Sequence, residues 1–308
     1  MAEDVEDAST DRPLLALLIR LGGMAGIATM AALIKLASEA GVHVAEIIFW
    51  RQFISIPLLL AFVLATGGIG MLKTQRPKAH FVRAGYGFVG MLLNFGGVIL
   101  LPLAEATTMS FTAPIWAVIL STMLLGEKVG WWRWSAVVAG FLGIIIIAQP
   151  GGHAIPLGGA AAALGGAFMV ALISIQIRDL SRTDKAISIV FWFATFSTLC
   201  VLPFLPFTMA AQTWQTYAIL AGIGLSGTVG QLLITLALRY GKVSSVVVMD
   251  YSSLIWATLY GWLFFAVLPG TSTWLGAPLV VVAGIIIAWR ERVVSKKRFV
   301  DQRQSIGT

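Results

Sequence analysis

Long apolar stretches separated by short polar connections run through the whole chain. Ten of them have about the 20 residues a helix needs to cross a hydrocarbon core, at about 14–36, 43–65, 82–101, 106–126, 131–149, 156–178, 186–208, 214–237, 243–267 and 273–290. They lack the period-two alternation of a membrane barrel and are about twice as long as its strands. The pattern predicts an all-α membrane protein of ten transmembrane helices. Composition agrees: the 308 residues are 58% hydrophobic and 11% charged, against about 25% charged in a soluble domain. So few charges cannot cover a water-facing surface, and the expected partner of most of that surface is the lipid bilayer.

Positive charge orients the spans. With the N-terminus inside, the even-numbered loops and both tails hold Arg12; Lys73, Arg76, Lys78 and Arg83; Lys128 and Arg133; Arg178, Arg182 and Lys185; Arg239 and Lys242; and Arg290, Arg292, Lys296, Lys297, Arg298 and Arg303. These are 18 of the 21 Lys and Arg, and the odd-numbered loops hold none. Basic residues stay on the cytoplasmic side of short loops, so both termini are expected there. The net charge of +7 is spread over those loops rather than gathered in a domain, so contact with anionic headgroups explains it and no nucleic-acid partner is expected. The acidic start of the chain is unlike a signal peptide, which makes the first span a retained helix.

The chain also repeats itself. Gly85-x-Gly87-x-x-Gly90 followed by Asn94 matches Gly222-x-Gly224-x-x-Gly227 followed by Gln231, 137 residues on. Ile115-Trp116-Ala117 matches Ile255-Trp256-Ala257 at an offset of 140, and Phe49-Trp50 matches Phe191-Trp192 at 142. The expected organisation is an acidic tail (1–13), a first five-helix repeat (14–150), a second (151–290) and a basic tail (291–308). Five is odd, so the second copy enters the membrane from the opposite side. Many secondary transporters are such inverted repeats, with substrate bound near mid-membrane between the halves.

Two motifs imitate other chemistries. A dinucleotide fingerprint needs a strand before its glycines and a helix start after them; Gly85 to Gly90 lies inside an apolar span, where small residues let helices pack closely. Gly224-Leu225-Ser226-Gly227 imitates an intramembrane serine protease, but His43, His80 and His153 all fall at span ends or in loops, away from any base position beside the serine. No catalytic residue, metal site or cofactor is expected. The lone Cys200 excludes an internal disulfide and suits a packing role.

Ionisable groups inside a membrane are costly and mark function or pairing. Lys35 and Glu46 suit a salt bridge at the turn between the first two spans. Arg20 is near enough to the surface to snorkel, whereas Arg51 is deeper and a cavity candidate. Asp250, in the polar cluster Met249-Asp250-Tyr251-Ser252-Ser253, is placed to meet a cationic substrate group, to load and release a proton, or to pair with Arg51. Asn94 and Gln231 are repeat-related amides far inside their spans, and Trp116 and Trp256 are a repeat-related aromatic pair suited to lining a cavity or to core packing.

The stretch from Ala106 to Gly151 carries a family likeness: Phe111-Thr112-Ala113-Pro114-Ile115, then Leu124-Leu125-Gly126-Glu127-Lys128, a Trp-rich turn, and Gly140-x-x-Gly143-Ile144 before Pro150-Gly151. It resembles the EamA-type carriers of the drug/metabolite transporter superfamily, along nearly the whole chain. The likeness implies an inner-membrane location and a central cavity lined mainly by spans 1, 3, 4, 6, 8 and 9, which carry Asn94, Ser110, Trp116, Gln231, Asp250 and Tyr251. It also implies small-metabolite substrates such as amino acids or S-adenosylmethionine; Arg76 to Arg83 is similar to carriers of the latter. The second repeat departs from the pattern, with Ala266-Val267 where the first has Gly126-Glu127. The expected function is secondary transport of a small polar or amphipathic metabolite by alternating access. The alternative is a sensor or scaffold on the same fold that moves nothing.

Overall fold

The computed structural model describes residues 13–125, 130–148, 155–180, 183–240, 247–286 and 289. Glu127, Lys128, Pro150, Gly151, His153, Arg182, Lys242 and nearly all of both tails lie outside the described residues. All regular structure among the described residues is helical. The elements are α1 (Pro13–Glu39), α2 (Val44–Thr66), α3 (Pro77–Leu100), α4 (Leu103–Ser110), α5 (Ala113–Leu125), α6 (Trp131–Ala148) and α7 (Leu157–Leu180). They continue with α8 (Ala186–Val201), the short α9 (Leu205–Thr208), α10 (Trp214–Tyr240), α11 (Ser252–Phe265) and α12 (Thr271–Ile286). Three 3₁₀ turns, Ile69–Leu72, Leu202–Phe204 and Val247–Tyr251, interrupt or join them. The protein is a multi-pass membrane protein: among the described residues, seven helical spans are long and apolar enough to cross a bilayer, and two apolar helices, Trp134–Ile147 and Thr271–Ile286, are shorter.

Proline sets the breaks. α4 and α5 are parted at Phe111 and Thr112, just before Pro114, whose ring and missing N–H do not fit a helix interior; Thr112 Oγ1 donates to Met109 O (2.7 Å) across the break. At the far end of α8, Pro203 and Pro206 open the 3₁₀ turn and α9.

Small residues hold the helices together. α1 packs most extensively on α10, and α3 on α7. A Cβ on Gly26 would lie 3.0 Å from Gly230 Cα and 3.2 Å from Ser226 O, so the α1 and α10 backbones touch. In the second seam, a Cβ on Gly166 would lie 3.0 Å from the Asn94 backbone. The repeated glycines serve the same end: Gly90 abuts Met169 and Ile173, while Gly224 and Gly227 abut Ile54 and Met30. That is the contact expected of packing glycines rather than of a nucleotide loop. Trp131, Trp132, Trp134, Trp214, Trp274 and Trp289 are exposed near helix ends, as an interfacial belt requires.

Between α2 and α3 the chain fastens onto α7 and α8. Leu72 O accepts from Trp192 Nε1 (2.9 Å) and Ser188 Oγ (3.3 Å). Asp184 Oδ2 lies 2.9 Å from His80 Nε2 at a buried site and accepts from the half-buried Thr74 Oγ1 (3.0 Å). Arg76 reaches Asp179 (2.7 Å) at the surface.

Two expected charge placements are corrected. Lys35 does not pair with Glu46; its Nζ donates to Leu101 O (2.7 Å) and Ile99 O (3.4 Å). A cation there satisfies the free carbonyls at the α3 C-terminus. Glu46, fully buried, accepts from Gln212 Nε2 (3.2 Å) instead.

A candidate substrate cavity

A cavity of about 100 Å³ lies between α2, α3, α8 and α10, within the apolar spans. From α2 come Arg51, Gln52, Ser55 and Leu59; from α3, Arg83; from α8, Val190, Phe193 and Ala194; from α10, Gly227, Thr228 and Gln231. The spacing follows helix geometry. Arg51, Ser55 and Leu59 stand four apart on one face of α2, and Gly227 and Gln231 likewise on α10. Gly227 leaves room for Met30, whose sulfur accepts from Arg51: a Cβ there would lie 2.6 Å from Met30 Sδ. Ser55 Oγ and Thr228 Oγ1 meet at 2.6 Å and tie α2 to α10 beside the cavity.

The charges in this wall are both positive. Arg51 donates from Nε to Met30 Sδ (3.3 Å) and from Nη1 to Gln52 Oε1, with Met91 Sδ at 4.0 Å. Arg83 is buried, with its guanidinium over the Phe193 ring (4.4 Å) and its Nε and Nη1 without hydrogen-bond partners. A second space, about 230 Å³ and mostly apolar, adjoins through the shared residues Val190 and Gln231 and is lined also by Phe62, Ile187, Leu232 and Leu236.

Of the residues singled out from the sequence, the structure brings Arg51 and Gln231 into this wall and leaves the others outside it. Asp250 pairs with Arg20, not with Arg51: Arg20 Nε and Nη2 each donate to one carboxylate oxygen at 2.6 Å, and Nη1 donates to Ile234 O (3.1 Å). Arg20 is buried and does not snorkel. Tyr251 sits edge-on to Phe111 (5.0 Å), and Ser110 Oγ donates to Ala106 O (3.0 Å) within its own helix. Trp116 packs edge-on against Phe141 (5.3 Å) and Phe168 (5.5 Å), its Nε1 buried without a partner. Asn94 is half-buried at the α3–α7 seam. The wall is therefore built from the second, third, seventh and eighth spans rather than the set expected. The first span closes tightly on the eighth and the third on the sixth through their glycines, and the open space falls beside the second and seventh.

Arg83 was missed. Counted as a loop charge, it lies inside α3, which begins at Pro77. It stands at the very start of the 82–101 apolar run, and Pro77, a start signal at a first helical position, begins the helix five residues earlier, which puts Arg83 more than a turn inside it.

Comparison with known proteins converges on transport. The chain is 30% identical over 264 residues to the pseudopaline exporter CntI of Pseudomonas aeruginosa, covering 84% of this chain and 90% of that one. It is 27% identical to an S-adenosylmethionine uptake transporter of Rickettsia felis (84% and 88% covered). It is 29% identical to a riboflavin transporter of Rhizobium johnstonii (79% and 80% covered). A protein of known crystal structure superimposes with a TM-score of 0.60 at 19% identity, over 91% of this chain and 98% of its own, a likeness of fold alone. The EamA-like transporter family matches residues 14–149 and again residues 157–289, and the chain belongs to that family.

Proposed function

We propose that the protein is a secondary carrier of a small metabolite, built as ten spans in two oppositely oriented five-helix units, with the cavity beside Arg51 and Gln231 as its substrate site. The observation that carries the reading is a polar cavity lined by amides, hydroxyls and guanidinium groups inside apolar spans. Polar side chains at such depth are expensive unless they serve a ligand or a pathway.

The helix neighbours support the repeat. Replacing each span by the one five further along turns the α1–α10 packing into α7–α3, and α2–α10 into α8–α3. The same exchange turns α1–α11 into α7 against α4 and α5. Two like halves of opposite orientation can exchange conformations, which exposes one central site to each side in turn. Small metabolites fit the family, whose named relatives carry pseudopaline, S-adenosylmethionine and riboflavin. The same proposal places the protein in the inner membrane, as the family likeness implies, with both termini in the cytoplasm, as the loop charges indicate.

The test is counterflow in proteoliposomes with labelled S-adenosylmethionine, riboflavin, amino acids and organic carboxylates. At least one compound should exchange faster than in empty liposomes, and Gln52→Ala and Gln231→Ala should slow it while the protein stays monodisperse. Absence of flux for every compound from folded protein refutes the carrier reading and favours a sensor or scaffold.

A further inference from the structure

The substrate's chemical class can be read from what the cavity wall lacks. Two guanidinium groups face one small space, and among the described residues no Asp or Glu shares its wall. The ion pairs among the described residues engage Arg20, Arg76 and His80, not Arg51 or Arg83. Arg51 has one amide oxygen and two thioethers, which are weak acceptors and neutralise nothing. Arg83 has an aromatic face and two unpartnered nitrogens. Two like charges held close in a low-dielectric site, each without a counter-ion, are a costly arrangement.

The scaffold does not require either charge. In the register that pairs Phe49-Trp50 with Phe191-Trp192, Arg51 corresponds to Phe193; in the register that pairs Gly85 with Gly222, Arg83 corresponds to Leu220. The second half of the chain thus has an apolar residue at both positions where the first has arginine, and Leu220 is fully buried in the core. What the arginines add is a positive potential at the cavity.

We propose that this cavity binds the anionic end of an amphipathic carboxylate, with Arg51 and Arg83 receiving the carboxylate oxygens; the proposal rests on the carrier reading above and names its substrate class. Planar guanidinium groups match a carboxylate in geometry as well as charge. Gln52 and Gln231 supply neutral hydrogen bonds to the remaining polar atoms, and the adjoining apolar space, entered past Val190 and Gln231, takes the hydrophobic remainder. A cation finds no carboxylate in the wall and meets two positive groups, so the site selects against it. Asp250, the acid that would have welcomed a cation, is occupied by Arg20.

The experiment uses the full chain in phosphatidylcholine nanodiscs, where no anionic lipid competes. Thermal unfolding is followed against mono- and dicarboxylates of graded chain length, each beside its neutral amide, with inorganic phosphate as a further arm. At least one carboxylate should stabilise the protein saturably and its amide should not. Arg51→Gln and Arg83→Gln should each weaken that binding about tenfold or more, as loss of one partner of a buried charge pair does, and Arg51→Lys should weaken it less. Equal effects of amide or phosphate, no effect of any carboxylate, or a shift that survives in the double Gln variant overturns the proposal. Where a variant fails to fold, phenylglyoxal labelling of the wild type read by mass spectrometry serves instead: the carboxylate must slow modification of Arg51 and Arg83 but not of Arg76. Binding without counterflow overturns the carrier reading and leaves the site; counterflow of cations without carboxylate binding does the reverse.

Discussion

The pair between Arg20 and Asp250 makes a quantitative prediction that separates a structural acid from a transporting one. The two side chains are 8% and 32% exposed, so Arg20 is the more deeply enclosed partner. Removing one member of a buried ion pair costs about 3–5 kcal/mol, because the other is left desolvated and unpaired. Asp250→Asn removes the counter-charge and leaves the buried guanidinium two neutral acceptors, the new amide oxygen and the Ile234 carbonyl, and should cost about 3 kcal/mol. Arg20→Met leaves a carboxylate that is one-third open, and should cost about 2 kcal/mol, the shortfall reflecting its residual hydration. The double variant strands nothing and should be no less stable than the worse single, a coupling of about 2 kcal/mol. Thermal unfolding of the four proteins in one detergent measures it. Additive losses, or singles indistinguishable from wild type, refute the structural assignment and return Asp250 to consideration as a substrate or proton site, for which flux should collapse with stability unchanged.

Other substitutions probe the packing and the connections. Gly230→Val should cost more than 3 kcal/mol by forcing apart helices whose backbones touch at Gly26; Gly85→Ala, where a Cβ meets nothing, should be neutral or stabilising by up to about 1 kcal/mol, both read by thermal unfolding. Trp192→Phe removes one hydrogen bond to Leu72 O and should cost about 1 kcal/mol in the same assay. Arg76→Ala breaks an exposed pair and should change stability by less than about 1 kcal/mol, a loss several-fold larger showing that the surface contact had been underrated.

How far the sequence disclosed this depended on distance along the chain. The spans were legible because a bilayer imposes a length on apolar runs, and that constraint is local. Arg51 and Gln231 stood out as polar side chains too deep to be comfortable. Arg20 and Asp250 were each visible, but 230 positions separate them, and no local pattern joins groups so far apart; only the docking of α1 beside Val247–Tyr251 does. Lys35 pointed to Glu46 by proximity in sequence, whereas its real acceptors are carbonyls at the α3 C-terminus, set by how α1 lies against α3. The cavity escaped because glycine seams move the empty volume away from the helices that touch.

The fastening at Leu72, Thr74, Arg76 and His80 bears on how the molecule can open. These residues precede or begin α3, and their partners Asp179, Asp184, Ser188 and Trp192 lie at the end of α7, in the turn after it and in the first two turns of α8. The grip therefore joins the α2–α3 connection to the α7–α8 connection, about a turn along α3 from Arg83. Parting these two connections has to release a buried acid–imidazole contact and an indole hydrogen bond together, so on the carrier proposal this end of the molecule is bolted by several bonds that must yield in concert.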